Sequence, residues 1–113
     1  MDDKISVLVD QMLDAATTAT SYVEGLSRGD FLSDKRTQQA VVLNILIIGE
    51  LATKIAQEHS EFARAHDDIP WNSMRNMRNR IAHGYYDIDF DVVWDTLAFS
   101  LPPLIGTLSV IKR

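Results

Sequence analysis

The chain has 113 residues, 46% hydrophobic and 24% charged, which fits one soluble globular domain, 1–113, with a modest core. It contains no cysteine, which excludes disulfides and thiolate chemistry. The net charge is −5, whereas a protein that coats nucleic acid by charge alone is basic overall.

Met1-Asp2-Asp3-Lys4 lacks the basic start of a secretion signal. The longest apolar run, Ala40 to Gly49, is broken by Asn44 and is too short to span a bilayer. These features predict a cytoplasmic protein without membrane contact.

A first helix is expected from about Asp3 to Leu26. Ile5, Leu8, Val9, Met12, Leu13, Ala16, Tyr22, Val23 and Leu26 recur at three- and four-residue spacing and make one apolar stripe. Gly25, Arg28 and Gly29 mark its end and the following turn. Ser33 suits the N-cap of a second helix reaching Glu58, with Asp34 in its first turn. The centre of that helix, Val41 to Ile48, is apolar all round. Such a helix is expected to be buried on every side, through a central position or a subunit interface. Asn44 reads as a buried polar residue setting register.

Residues 59–69 read as a polar connection with a short helical turn at Glu61 to Ala65, and with His59 and His66 exposed. Pro70 suits the first turn of a third helix, about Trp71 to Ala82, ended by His83-Gly84. Asp89 can cap a last helix carrying Phe90, Val93, Trp94, Leu97, Leu101, Leu104, Ile105, Leu108 and Ile111. Pro102-Pro103 should kink or interrupt it. Asp87, Asp89 and Asp91 alternate like metal ligands, but capping explains them better. Trp71 and Trp94 read as core anchors. The expected fold is all-α, a four- to five-helix up-and-down bundle.

The stretch from Trp71 to Tyr86 holds Arg75, Arg78 and Arg80 and no acid, in a chain that is otherwise acidic. Arginine matches phosphate oxygens with a planar pair of donors. Histidine titrates near neutral pH and can move protons. A local cationic site with one imidazole therefore points to phosphate chemistry. Asn79 and His83, four apart, can touch on one helix face. Arg78 and His83 are five apart, about 140° around a helix, and converge only if the helix ends near His83. Glu50 follows a glycine in an apolar helix. It needs a partner, and Arg78 or Arg75 is the natural one.

Arg78-Asn79-x-x-Ala82-His83-x-Tyr85 resembles the Arg-x4-His-x-Tyr signature of HEPN-domain proteins of the HepT type, the toxin halves of HEPN–MNT toxin–antitoxin pairs. The resemblance extends to Ile47-Ile48-Gly49-Glu50, to Ile69-Pro70-Trp71 and to Val93-Trp94, and so covers nearly the whole chain. It implies a HEPN-like bundle that forms a homodimer and acts as a metal-independent endoribonuclease without cofactor. Arg78, His83 and Asn79 would be the catalytic residues, and Glu50 and Arg75 would support them. It also implies a partner, a cognate MNT nucleotidyltransferase antitoxin that transfers AMP to the signature tyrosine, Tyr85 by spacing rather than Tyr86. Two His83 and two Arg78 in one dimer cleft would supply acid, base and charge stabilisation for attack by the RNA's own 2′-hydroxyl. The product would be a 2′,3′-cyclic phosphate. The alternative is a helical binding module that docks a nucleotidyltransferase through its acidic first helix and holds nucleotide or RNA without cutting.

Overall fold

The computed structural model describes residues 1–112, and no strand occurs among them. The Asp2 carboxylate accepts the Ile5 amide at 2.8 Å and starts α1, Asp3–Tyr22. Leu8, Val9, Met12, Ala15, Ala16 and Ala19 form its buried stripe. This helix ends four residues before the expected Leu26. Gly25 takes the left-handed backbone (φ 77°) that reverses the chain. Tyr22, placed in the stripe by spacing, is 46% exposed.

A short helix follows that the spacing did not suggest: α2, Arg28–Leu32. Ser27 and Asp30 form a capping box at its start. Its burial is that of Phe31, whose ring packs on Trp94 at 5.5 Å and Phe90 at 6.3 Å. The carbonyls of Phe31 and Leu32 accept from Gln38 Nε2 at 2.9 and 3.1 Å, making Gln38 the buried polar residue of the core.

The next helix, α3, spans Lys35–Glu58, and its N-cap is Asp34, not Ser33. Asp34 accepts from both the amide and the hydroxyl of Thr37, at 3.1 and 2.6 Å. Those bonds hold its carboxyl below the usual carboxylate range, the Thr37 hydroxyl contributing most. Asn44 does not bridge helices. It is half-buried and donates to the Ala40 carbonyl of its own helix at 3.0 Å.

The connection contains α4, Ser60–Ala65. His59 and His66 are half-buried rather than exposed, and the His66 ring lies 4.5 Å from that of Phe62. Trp71 Nε1 donates to the carbonyls of Ala63 and His66, both at 3.1 Å, and ties the connection to the start of α5, Trp71–His83. Within one chain α3 is not buried on every side, so a central position alone does not cover it: Leu43 is 56% and Ile47 38% exposed, because α1 and α5 cover the opposite side of that helix. Trp71 and Trp94 anchor the core from half-buried positions.

Beyond Gly84 a 3₁₀ turn, Tyr85–Asp87, leads to α6, Phe90–Asp95, capped by Asp89. Asp91 and Asp95 are ion-paired to Arg28, at 2.9 and 2.6 Å, and link α6 to α2. Of the three alternating aspartates, then, only Asp89 caps. The helix widens to a π segment over Thr96–Ser100, where the Leu101 amide reaches the Thr96 carbonyl. It then resumes as α7, Leu101–Lys112. Pro102 and Pro103 lack amide donors, and the wider turn before them takes up the lost bonds and ring crowding. The expected interruption is thus a π segment inside one continuous rod, Phe90–Lys112.

Four long rods (α1, α3, α5 and the α6–α7 rod) make the bundle, with α3 packed on α1 and α5, and α7 on α1. Lys112 pins the end of α7 beside the first turns of α1, donating to Ser6 Oγ at 2.6 Å and pairing with Asp10 at 3.0 Å. By length and hydropathy alone, Lys35–Glu58 and Phe90–Lys112 could each cross a membrane, which the apolar run from Ala40 to Gly49 did not suggest. Val41, Ile45 and Ile48 of the first and Val93, Leu97 and Leu104 of the second are buried in the bundle core.

Candidate active site

The site is built on α5, held unusually close to α3 at one point. A methyl group at Gly49 would collide with the Cβ of Arg78 and lie 2.8 Å from the Met74 carbonyl oxygen. Only a residue without a side chain lets the two backbones meet there. The next residue, Glu50, then accepts a hydrogen bond from Arg78 Nε. The guanidinium is fixed a second time by Nη1, which donates to Asn79 Oδ1 at 2.9 Å. Of the two arginines that sequence offered to Glu50, the structure pairs it with Arg78. Arg75, one turn earlier, is half-buried without taking part in that pair.

The other side of α5 faces a cavity of about 510 Å³. Asn76, Asn79, Arg80 and His83 line it at i, i+3, i+4 and i+7, a polar stripe with the periodicity usually met in apolar ones. Asp87 and Asp89 close one side, and Met77, Ile81, Val92 and Val93 supply apolar wall. Arg78 does not line this cavity. His83 is the last helical residue and is exposed, with Gly84 extended (φ 178°) beyond it. Because the helix includes His83, the angular offset from Arg78 persists, about 140°. The two are not brought together within one chain. Asn79 lies between them on the helix, bonded to Arg78 and lining the cavity of His83. Its carboxamide oxygen is taken by Arg78, and the expected contact with His83 is not formed.

Tyr85 and Tyr86 have opposite environments. The Tyr85 ring packs on Phe90 at 5.9 Å, and its hydroxyl is buried without a hydrogen-bond partner. Tyr86 is 93% exposed. Among the described residues no three His, Asp or Glu side chains gather as a metal ligand set would.

Residues missed by sequence reasoning are Asn76 and Asp87 in the cavity, Arg80 as a member of its lining, and Gly49 as the seat of Arg78. The stripe of Asn76, Asn79, Arg80 and His83 could have been found by applying helical periodicity to polar residues. The approach at Gly49 could not, since it depends on which helix lies opposite.

The family profile described as ribonuclease HepT-like matches residues 12–111. The chain belongs to the HepT-like ribonuclease family. It is 38% identical over 84 residues to a protein of Thermococcus cleftensis named as a probable ribonuclease HepT, an alignment covering 74% of each chain. It is 30% identical over 82 residues to a protein of Caldanaerobacter subterraneus subsp. tengcongensis provisionally named as an RNase, covering 73% of this chain and 70% of that one. A provisionally named RNase of Methanocaldococcus jannaschii is 27% identical over 81 residues, covering 72% of this chain and 64% of its own length. No solved structure matches. The HepT-like bundle thus carries, on α5, a clamped guanidinium on one face and an imidazole beside an open cavity on another.

Proposed function

We propose that this HepT-like chain is a metal-independent endoribonuclease of the cytoplasm, the toxin of a toxin–antitoxin pair, with a composite site completed by a second copy. The observation that carries the reading is the placement of Arg78 and His83 on different faces of α5, joined only through Asn79. One chain offers a single imidazole there, and cleavage by the RNA's 2′-hydroxyl needs two proton-transfer groups. A two-fold dimer supplies the second His83 and a second Arg78. The exposed Leu43 and Ile47 support that dimer. With Glu50 they follow i, i+4, i+7 spacing on one face of α3, so an apolar patch adjoins the Glu50–Arg78 pair.

In this mechanism one His83 takes the proton of the 2′-hydroxyl. The O2′–phosphorus bond forms and the phosphorus–O5′ bond breaks. The His83 of the second copy, in its protonated form, gives a proton to O5′. Arg78 neutralises the charge growing on the non-bridging oxygens, and Glu50 and Asn79 hold its fork in place. The products are a 2′,3′-cyclic phosphate and a 5′-hydroxyl.

Silencing would come from the cognate MNT nucleotidyltransferase, which adds AMP to Tyr85, two residues from His83. The phenol oxygen bonds to the α-phosphorus of ATP, pyrophosphate leaves, and the phenolic proton passes to solvent. The adduct brings negative charge and bulk to the place where substrate phosphate sits. Because the Tyr85 hydroxyl is buried, the 85–87 turn must open for transfer. Peptide mass spectrometry after incubation with the transferase and ATP should locate the AMP on Tyr85. Its appearance on Tyr86 alone would refute this assignment.

Partner-free protein incubated with total RNA and tRNA in a metal chelator should cut RNA, and His83→Ala, still folded, should not. Equal cutting by the variant removes His83 from the mechanism.

A further inference from the structure

We propose that the cavity beside His83 is a guanine-binding subsite, in which Arg80 and Asp87 read two edges of a base flanking the scissile phosphate. The subsite rests on the nuclease reading for its biological use, but not for its test. Arg80 and Asp87 line the same cavity, yet they form no ion pair with each other or with any other described residue. Their charges are therefore free for a ligand, unlike those of Arg78, Arg28 and Asp91. Asp89 Oδ1 is already engaged by the amides of Asp91 and Val92, whereas the Asp87 side chain accepts no hydrogen bond within the described chain.

A guanidinium and a carboxylate lining one cavity without pairing match guanine better than any other base. Guanine shows two acceptors, N7 and O6, on one edge, which suit the arginine fork. Its neighbouring edge shows two donors, N1–H and N2–H, which suit a carboxylate. Adenine puts an amino donor beside N7 and offers no such pair of donors. Cytosine and uracil lack the N7 edge. The wall formed by Met77 and Ile81 is apolar, as the face of a base requires, and about 510 Å³ admits a base with its sugar. Arg80 lies three residues before His83 on the same stripe, so a base held there brings its own ribose and phosphate to the imidazole.

Two measurements test this. In the first, GMP, AMP, CMP and UMP are titrated into the protein while the side-chain amides of Asn76 and Asn79 are followed by NMR. GMP should bind at least about tenfold more tightly than the others, inosine monophosphate should lose several-fold for want of the N2 amine, and Asp87→Asn should abolish the preference. Equal shifts for all four nucleotides, or none at millimolar concentration, overturn the subsite whether or not the protein cuts RNA. In the second, cleavage positions are mapped in RNA of random sequence. Cuts should concentrate next to guanosine and spread across the bases in Asp87→Asn. Cuts without base preference overturn the subsite while leaving the nuclease. Selective GMP binding without any cleavage upholds the subsite and removes the nuclease reading.

Discussion

In the proposed mechanism His83 and Arg78 do different work, and they should fail differently when replaced. Removing the imidazole takes away proton transfer, so His83→Ala should lower kcat about 10²- to 10⁴-fold. Removing the guanidinium takes away charge stabilisation in the transition state, and Arg78→Ala should cost about 10²- to 10³-fold. In that mechanism Glu50 acts through Arg78, to which it is bonded. The side chains of the pair are 53% and 35% exposed, so solvent screens the ion pair and its stability contribution is small. Glu50→Gln should leave Tm nearly unchanged yet lower kcat several-fold, and Glu50→Asp should restore less than the native length does. A fall in Tm without a change in kcat would make Glu50 merely structural. Tyr85 offers a test of the opposite sign. Its buried hydroxyl has no partner, and such a group costs about 1–3 kcal/mol. Tyr85→Phe should therefore raise Tm, and a lowered Tm would mean that the hydroxyl is satisfied. The Glu50–Arg78 pair was legible in the chain because a carboxylate in an apolar helix needs a partner. The inward turn of Tyr85 and the outward turn of Tyr86 were not, since adjacent residues differ in burial only once Phe90 has packed behind them.

Gly49 lets α3 meet α5 at Arg78. Any side chain there must push α5 outward, so Gly49→Ala should destabilise by about 1–3 kcal/mol and displace Arg78 from Glu50. Gly106, on α7, has open space where a methyl group would sit, and Gly106→Ala should be neutral or raise Tm slightly. Thermal melts of the two variants that moved together would contradict the close approach. The start of α3 carries a pH dependence. The Thr37 bonds lower the folded pKa of Asp34, so its contribution is fully present above the ordinary carboxylate pKa of about 3.9. It is lost as pH falls through the lowered folded value. Asp34→Ala should reduce Tm at neutral pH, and the difference from native protein should vanish in strong acid. The long helices were readable because their apolar spacing persists over many turns. Short α2 was not, having too few residues to show a period, and its burial of Phe31 depends on aromatic rings from α6, far along the chain. The π segment was half-legible: two prolines require an adjustment, but tertiary packing decides whether the rod bends, breaks or widens.

The proposed dimer links stability of assembly to activity. Leu43 and Ile47 are exposed, so charge at either should leave the fold of one chain intact. Ile47→Glu should halve the mass measured in solution and abolish cleavage together. Full activity in a monomeric variant would remove the composite site. Total acidity also constrains the substrate encounter, because a net charge of −5 repels RNA except around α5. Binding should weaken only modestly with salt, as expected for few phosphate contacts. The most direct test of the central claim is turnover on a defined RNA in large excess over protein, in chelator, with the product ends identified. Product exceeding the protein many-fold, ending in 2′,3′-cyclic phosphate and 5′-hydroxyl and lost in both Arg78→Ala and His83→Ala, is the predicted result. RNA bound but left intact, or cut to 3′-hydroxyl ends, would contradict it.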